Sequence, residues 1–334
     1  MMLTRRSRPV DFELGVKYVQ NSLKVDSPQM RQILQAAADN NIVISLGFSE
    51  RSGGDSLYIS QALISASGEL LMTRRKLKPT HMERTIFGDA TGHHCLAPVV
   101  DVADVGKVGQ LSCWEHIQPL LKYYTFTQNE QIHVAAWPPL DHFVDGSPGF
   151  YSMSVEGCQT TSQAYAVESQ AFVLHCITLL TEGGLEKIGT KGSPLMGAPS
   201  GGRSAVIAPD GRVLAQTEKE GEEQLLVFDL DLSLITKTRT FADAGGHCKS
   251  RKSYEISEIS DIRLMQVTQT VDRTCCGWAP TSPRSLRSGC WISKVEQAIA
   301  INTKSSGSVL HEGEVSEISA CVRRSSPVYF PAQR

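Results

Sequence analysis

VGKVGQLSCWEHIQPLLKYYTFTQNEQIHVAAWPP, residues 105–139, reads as strand, helix, strand. VGKVGQLSC is a short apolar run of the kind that forms a buried strand, EHIQPLLKYYTFTQ carries helical spacing, and QIHVAAWPP is a second strand closed by Pro138 and Pro139. Such alternation is the mark of an α/β fold.

The same alternation extends outward in both directions. Upstream, SPQMRQILQAAADNN (27–41) predicts a helix, with Ser27 as N-cap, Pro28 at the first helical position and an apolar stripe through Met30, Ile33, Leu34 and Ala37. NIVISLGFSE then predicts a strand ending at Gly47, and SLYISQALISASGELLMTRRKL predicts two strands joined at Ser67-Gly68, completing a meander. Downstream, TSQAYAVES is a helix, QAFVLHCITLL a strand, SAVIAPDGRVLAQT a hairpin turning at Asp210-Gly211, and EQLLVFDLDLSLITKTRTF a last strand running into a helix. Beyond about residue 250 the chain is rich in Ser, Arg and Cys with no sustained apolar period, and it is expected to be a largely disordered tail. The expected division is therefore a folded domain over 1–247 and an irregular tail over 248–334.

With 334 residues, 41% hydrophobic and 20% charged, the chain can bury a full core. A formal net charge of -2 leaves no electrostatic footprint for nucleic acid or an anionic membrane. No apolar run reaches the roughly 18 to 20 residues that span a bilayer, and the basic start MMLTRRSRPVDFELG has no apolar h-region, so a cytoplasmic protein is expected. Nine cysteines in no regular spacing, with Cys275 and Cys276 adjacent, argue against a disulfide framework or a C-x-x-C site. His93, His94 and Cys95 have no second ligand pair at zinc-like spacing and read as a solvated turn.

Cys113 stands out chemically. It ends an apolar strand and precedes a helix opening with Trp114 and Glu115, a turn that lifts a side chain from the sheet while the helix N-terminus favours a thiolate. The plainer reading is an inert packed cysteine. Arg74, Arg75, Lys76 and Lys78 crowd the end of a strand, with Glu83 a turn or two beyond. Such a cluster can simply blunt a sheet edge. A lysine aimed at a thiolate would also stabilise the anion and the charge developing on a substrate nitrogen, and Glu83 could hold it in place.

Taken together, NSLKVDS, SLGFSERSGG with SLY, RRKLKPTHMERTIFGD, VGKVGQLSCWEHIQPLLKY, NEQIHVAAWPP and the run from YSMSVEG through SQAYAVESQAFVLHC resemble the nitrilase superfamily, in particular its fungal aliphatic nitrilases and cyanide hydratases. GAPSGGRSAVIAPDGR and DLDLSLITKTRTFAD continue the resemblance, which spans about residues 16 to 247. The resemblance implies an αββα sandwich, a homo-oligomer, and a Glu-Lys-Cys triad working without metal or organic cofactor. By position it assigns Cys113 as nucleophile, Lys76 as catalytic lysine and Glu83 as a supporting glutamate. It implies hydrolysis of a nitrile to an acid and ammonia, or of cyanide to formamide.

The sequence departs from the family pattern at both ends. The family's initial strand, helix and Phe-Pro-Glu strand carrying its general base have no match before Asp26, so the sandwich is expected to be N-terminally incomplete. Glu13 and Glu50 are available carboxylates, but Glu50 falls at a different family position. GHHCLAPVVDVADVGK is longer than the usual loop, and GGHCKSRKS departs from the family's Gly-His-Tyr-Ser-Arg-Pro. Two other readings follow, a catalytically dead assembly subunit and a product of wrongly predicted exons.

Overall fold

A computed structural model describes residues 12–246 except 97, 147–148, 189, 194–195, 202 and 219–221, together with 297–302 and 320–324. Helix α1 (Phe12–Asn21) leads to α2 (Pro28–Asn40). Ser27 caps α2 by accepting from the Met30 N–H, Pro28 occupies its first turn, and Asn41 closes it in the left-handed region at φ 51°. Met30 and Ala37 of the expected stripe are fully buried, with Ile33 and Leu34 packed beside them.

The meander forms as expected from β1 (Ile42–Arg51), β2 (Leu57–Ile64) and β3 (Leu70–Arg75), all antiparallel. Gly68 makes the β2–β3 turn at φ 80°, where a methyl would strike the Leu34 carbonyl oxygen. Strand β1 runs four residues past Gly47, because β2 pairs with it as far as Arg51.

A second sheet is built on the strand–helix–strand unit. It comprises β4 (Val99–Val102), β5 (Gly106–Ser112), β6 (Ile132–Trp137), β7 (Phe172–Ile177), β8 (Ala205–Ile207) and β9 (Val213–Gln216), in that order. Strands β5, β6 and β7 are parallel, connected through α3 (Pro119–Phe126) and α4 (Val155–Ser169). The helix after Cys113 is divided: Cys113–Ile117 is a 3₁₀ turn, and α3 begins only at Pro119. Proline pushes the preceding residue out of the α region, and Gln118 is extended at ψ 100°. Strand β4 and helix α5 (Glu182–Ile188) were not anticipated.

Strand β10 (Leu226–Leu230) and helix α6 (Ser233–Phe241) follow. The region expected to be a tail contributes β11 (Gln297–Asn302) and β12 (Ala320–Arg324). The first sheet has the order β10-β12-β11-β1-β2-β3, so these two strands stand between β1 and β10. The rest of the expected tail lies outside the described residues.

Three apolar clusters define four layers. Met30 and Ala37 of α2 pack with Ile44, Leu46, Phe48 and Ala62 of the first sheet. Val43 and Leu63 meet Val108, Val134, Phe172 and Leu174 between the sheets. Leu111, Ala135, Val173 and Ile207 meet Leu121, Phe126, Val155 and Tyr165 beyond the second sheet. The fold is an αββα sandwich, as the resemblance implied. Among the described residues no helix is long and apolar enough to cross a membrane.

Candidate active site

Cys113 emerges at the carboxyl end of β5, at the edge of the cluster beneath α3 and α4, where Leu77 and Trp114 pack against that cluster. Its φ of 51° places it in the left-handed region, at a cost of about 1–2 kcal/mol for a residue with a side chain. A strained, non-glycine residue at a strand end is a geometry proteins maintain at functional positions.

The expectation that the helix terminus would lower the thiol's pKa does not hold. Burial pushes the thiol up to about 12, outweighing the downward pull of the Lys76 charge and of the Trp114 backbone N–H, while the Glu83 and Glu115 charges push it further up. The helical element is a 3₁₀ turn of five residues beginning at Cys113 itself, and removal from water is the larger effect.

Arg74 and Lys76, two residues apart, point inward and are buried at 1% and 2% exposure, whereas Lys78, beyond the end of β3, is exposed and pairs with Asp89. Arg75 points the other way, 3.8 Å over the Tyr58 ring and onto Glu50. The Lys76 ammonium donates to Glu83 Oε2 at 2.7 Å. Glu83 sits in a 3₁₀ turn (His81–Thr85) and the same oxygen accepts the Thr80 N–H at 2.5 Å, so the carboxylate that aims the lysine is itself tied to its own turn. The three residues singled out in the sequence therefore share one neighbourhood.

What joins them was not foreseen. Arg74 makes a bidentate bond to Glu115, 2.7 Å to each oxygen, with both side chains nearly inaccessible. Glu115 also accepts the Leu77 N–H at 3.0 Å and the Ser112 N–H at 2.9 Å. The fork thus grips the residues flanking Lys76 and those flanking Cys113, fastening the end of β3 in one sheet to the end of β5 in the other. Arg74 also donates to Gln61 Oε1 at 2.7 Å, and Gln61 donates to the Leu111 carbonyl at 3.3 Å. Arg74 holds Glu115 well ionised, below the usual carboxylate range, against its burial. The sequence signals were the two-residue spacing of Arg74 and Lys76, which puts them on one face, and the Ser112-x-x-Glu115 spacing of a capping box.

Glu50 is committed elsewhere: it accepts two bonds from Arg75, at 2.5 and 2.9 Å, and one from Ser60 at 2.5 Å. Cys95 is fully buried within a 3₁₀ turn (His93–Leu96) rather than in a solvated one. Among the described residues no group of three or more His, Cys, Asp or Glu side chains could hold a metal ion.

A protein-family model described as carbon-nitrogen hydrolase matches residues 12–240. An arylacetonitrilase of Aspergillus kawachii is 55% identical over 242 residues, covering 72% of this chain and 72% of that protein. An arylacetonitrilase of Hypocrea virens is 52% identical over 241 residues, with the same 72% coverage of each. Among solved structures, a carbon-nitrogen hydrolase from Helicobacter pylori is 16% identical with a TM-score of 0.50, covering 75% of this chain and 78% of that one.

Proposed function

The chain belongs to the carbon-nitrogen hydrolase family, and on that premise we propose that it hydrolyses a nitrile to a carboxylic acid and ammonia, with Cys113 as nucleophile, Lys76 as electrostatic stabiliser and Glu83 as the carboxylate that orients Lys76. The supporting observation is a strained strand-end thiol within the field of an inward lysine that a glutamate holds at 2.7 Å. The arylacetonitrilase relatives favour an arylacetonitrile as substrate, and no observation favours cyanide over it.

The Cys113 sulfur attacks the nitrile carbon, and the thiol proton ends on the nitrile nitrogen, giving a thioimidate. Water adds to form a tetrahedral intermediate, which expels ammonia and leaves a thioester. A second water releases the acid and restores the thiol. The Lys76 ammonium opposes the negative charge that builds on nitrogen during attack. With the thiol held near 12, the proton must leave as the bond forms, because very little free thiolate exists at neutral pH.

The same reading takes 1–247 as the hydrolase domain and 248–334 as an irregular tail apart from β11 and β12, which stand within the first sheet, in a homo-oligomeric cytoplasmic protein. Ammonia release from phenylacetonitrile, other nitriles and cyanide, measured beside Cys113→Ala, tests the chemistry. Release that disappears in Cys113→Ala is expected. Release that persists in the variant would remove Cys113 from the mechanism, and its absence from folded wild-type protein would leave a non-catalytic assembly subunit.

A further inference from the structure

Behind Cys113, among α3, α4 and the second sheet, lies a chain of buried ionisable side chains that the proposed chemistry does not use. His116 Nδ1 is 2.7 Å from the Cys113 carbonyl oxygen, and His116 Nε2 is 3.0 Å from His133 Nε2. His133 Nδ1 is 2.8 Å from Glu130 Oε2, and the Tyr165 hydroxyl donates to Glu130 Oε1 at 2.6 Å. All four side chains belong to residues at most 1% exposed. Trp137 stacks on His116 with ring centroids 5.1 Å apart, and Tyr165 stacks on His133 at 3.9 Å.

The carbonyl end fixes the direction of each bond. A carbonyl only accepts, so His116 carries its hydrogen on Nδ1 and, as a neutral ring, presents a bare Nε2. His133 donates to that nitrogen from Nε2, which leaves its Nδ1 facing the Glu130 carboxyl group with one proton between them. Burial holds His116 well below the ordinary histidine range, in the neutral form that this order requires. The strand leading to Cys113 also reserves space for the carboxyl group. Gly109 lies opposite His133 in the β5–β6 register, and a methyl on it would stand 1.9 Å from Glu130 Oε2.

We infer that Glu130, His133 and His116 form a positioning relay that sets the peptide plane between Cys113 and Trp114. In a trans peptide the C=O and N–H point in opposite directions. Holding the Cys113 oxygen on His116 therefore sends the Trp114 N–H to the opposite side of that plane, and this N–H is one of the groups that pull the Cys113 thiol down. The relay keeps a left-handed residue from relaxing and supplies a backbone donor to the sulfur before attack. The inference rests on Cys113 being the nucleophile proposed above.

Histidine-specific nitrogen NMR on the intact protein reads the relay directly. His116 is expected as the Nδ1–H tautomer, and an Nε2–H tautomer would overturn the proposal, since that form cannot donate to the Cys113 carbonyl. In kinetics, His116→Leu is expected to lower kcat about a hundredfold with little change in KM, as loss of aim at a reacting atom does. It is also expected to slow iodoacetamide alkylation of Cys113 at fixed pH. His116→Asn, whose amide nitrogen takes the place of Nδ1, is expected to restore a large part of both, and Gly109→Ala to reproduce the loss by displacing Glu130. A folded His116→Leu with wild-type alkylation would overturn the relay. Alkylation needs no nitrile, so failure of every nitrile as substrate would remove the functional reading and leave this test standing.

Discussion

At the scale of single residues, burial and the Lys76 charge pull the Cys113 thiol in opposite directions, and burial prevails, so the thiol lies near 12. Alkylation follows the thiolate fraction and rises about tenfold per pH unit below the thiol's pKa. The rate at Cys113, followed by peptide mass spectrometry, is therefore expected to climb through pH 9 and 10 without levelling. A plateau near or below 9 would mean that the lysine outweighs desolvation. Lys76→Met removes the pull on the thiol and, in the proposed mechanism, the cation opposite the substrate nitrogen. It is expected to cost about a hundredfold to a thousandfold in kcat, as loss of one preorganised stabilising group does, and to slow alkylation, whereas Lys78→Met, on the exposed side, should do neither. Cys113 and Lys76 were singled out because a strand-end position and a family motif each mark them. Arg74 was not, because an edge strand in a sequence does not disclose which parity faces inward.

At the scale of elements, the sequence located the start of α2 to the residue, since its cap, proline and apolar stripe are all local signals. Strand β4 escaped because four residues within a long loop carry too short a pattern to separate from a turn, and its pairing with β5 is what makes it a strand. The junction between β3 and β5 was equally illegible, since Arg74 and Glu115 lie forty-one residues apart. Their fork is where the energetics of two strand ends converge. Arg74→Met leaves Glu115 buried and uncompensated, with a bidentate partner gone, and is expected to cost about 3–5 kcal/mol in chemical denaturation. A loss below about 1 kcal/mol, the range of exposed pairs, would show that water reaches Glu115 and that the sheets are not joined there.

At the scale of the whole molecule, α/β alternation and the family resemblance together made the four layers legible, but neither could anticipate β11 and β12. Each is a short run inside a region whose composition reads as irregular, and their places are defined only by the strands on either side, β1 and β10. The layers also determine how the molecule responds to acid. Beyond the second sheet, burial holds His175 down to about 3 and His116 well below its ordinary value, so both rings are neutral in the folded state. In the unfolded chain each takes up a proton near pH 6.5. Below that pH the unfolded state binds more protons, so stability is lost as pH falls from 6.5 toward 3, at up to about 1.4 kcal/mol per pH unit for each ring. Glu156, held down to about 2 by His142 and by the Phe143 N–H against its burial, adds a further loss once the pH drops below the unfolded carboxyl value near 4.5. Urea midpoints at pH 7.0, 5.5 and 4.5 are therefore expected to fall progressively and by comparable amounts in the two intervals as the two rings act, with a steeper fall below 4.5, where the carboxylate joins them. A midpoint unchanged down to pH 4.5 would mean that these histidines take up protons in place, which buried rings without a charged partner do not do unless water enters the layer.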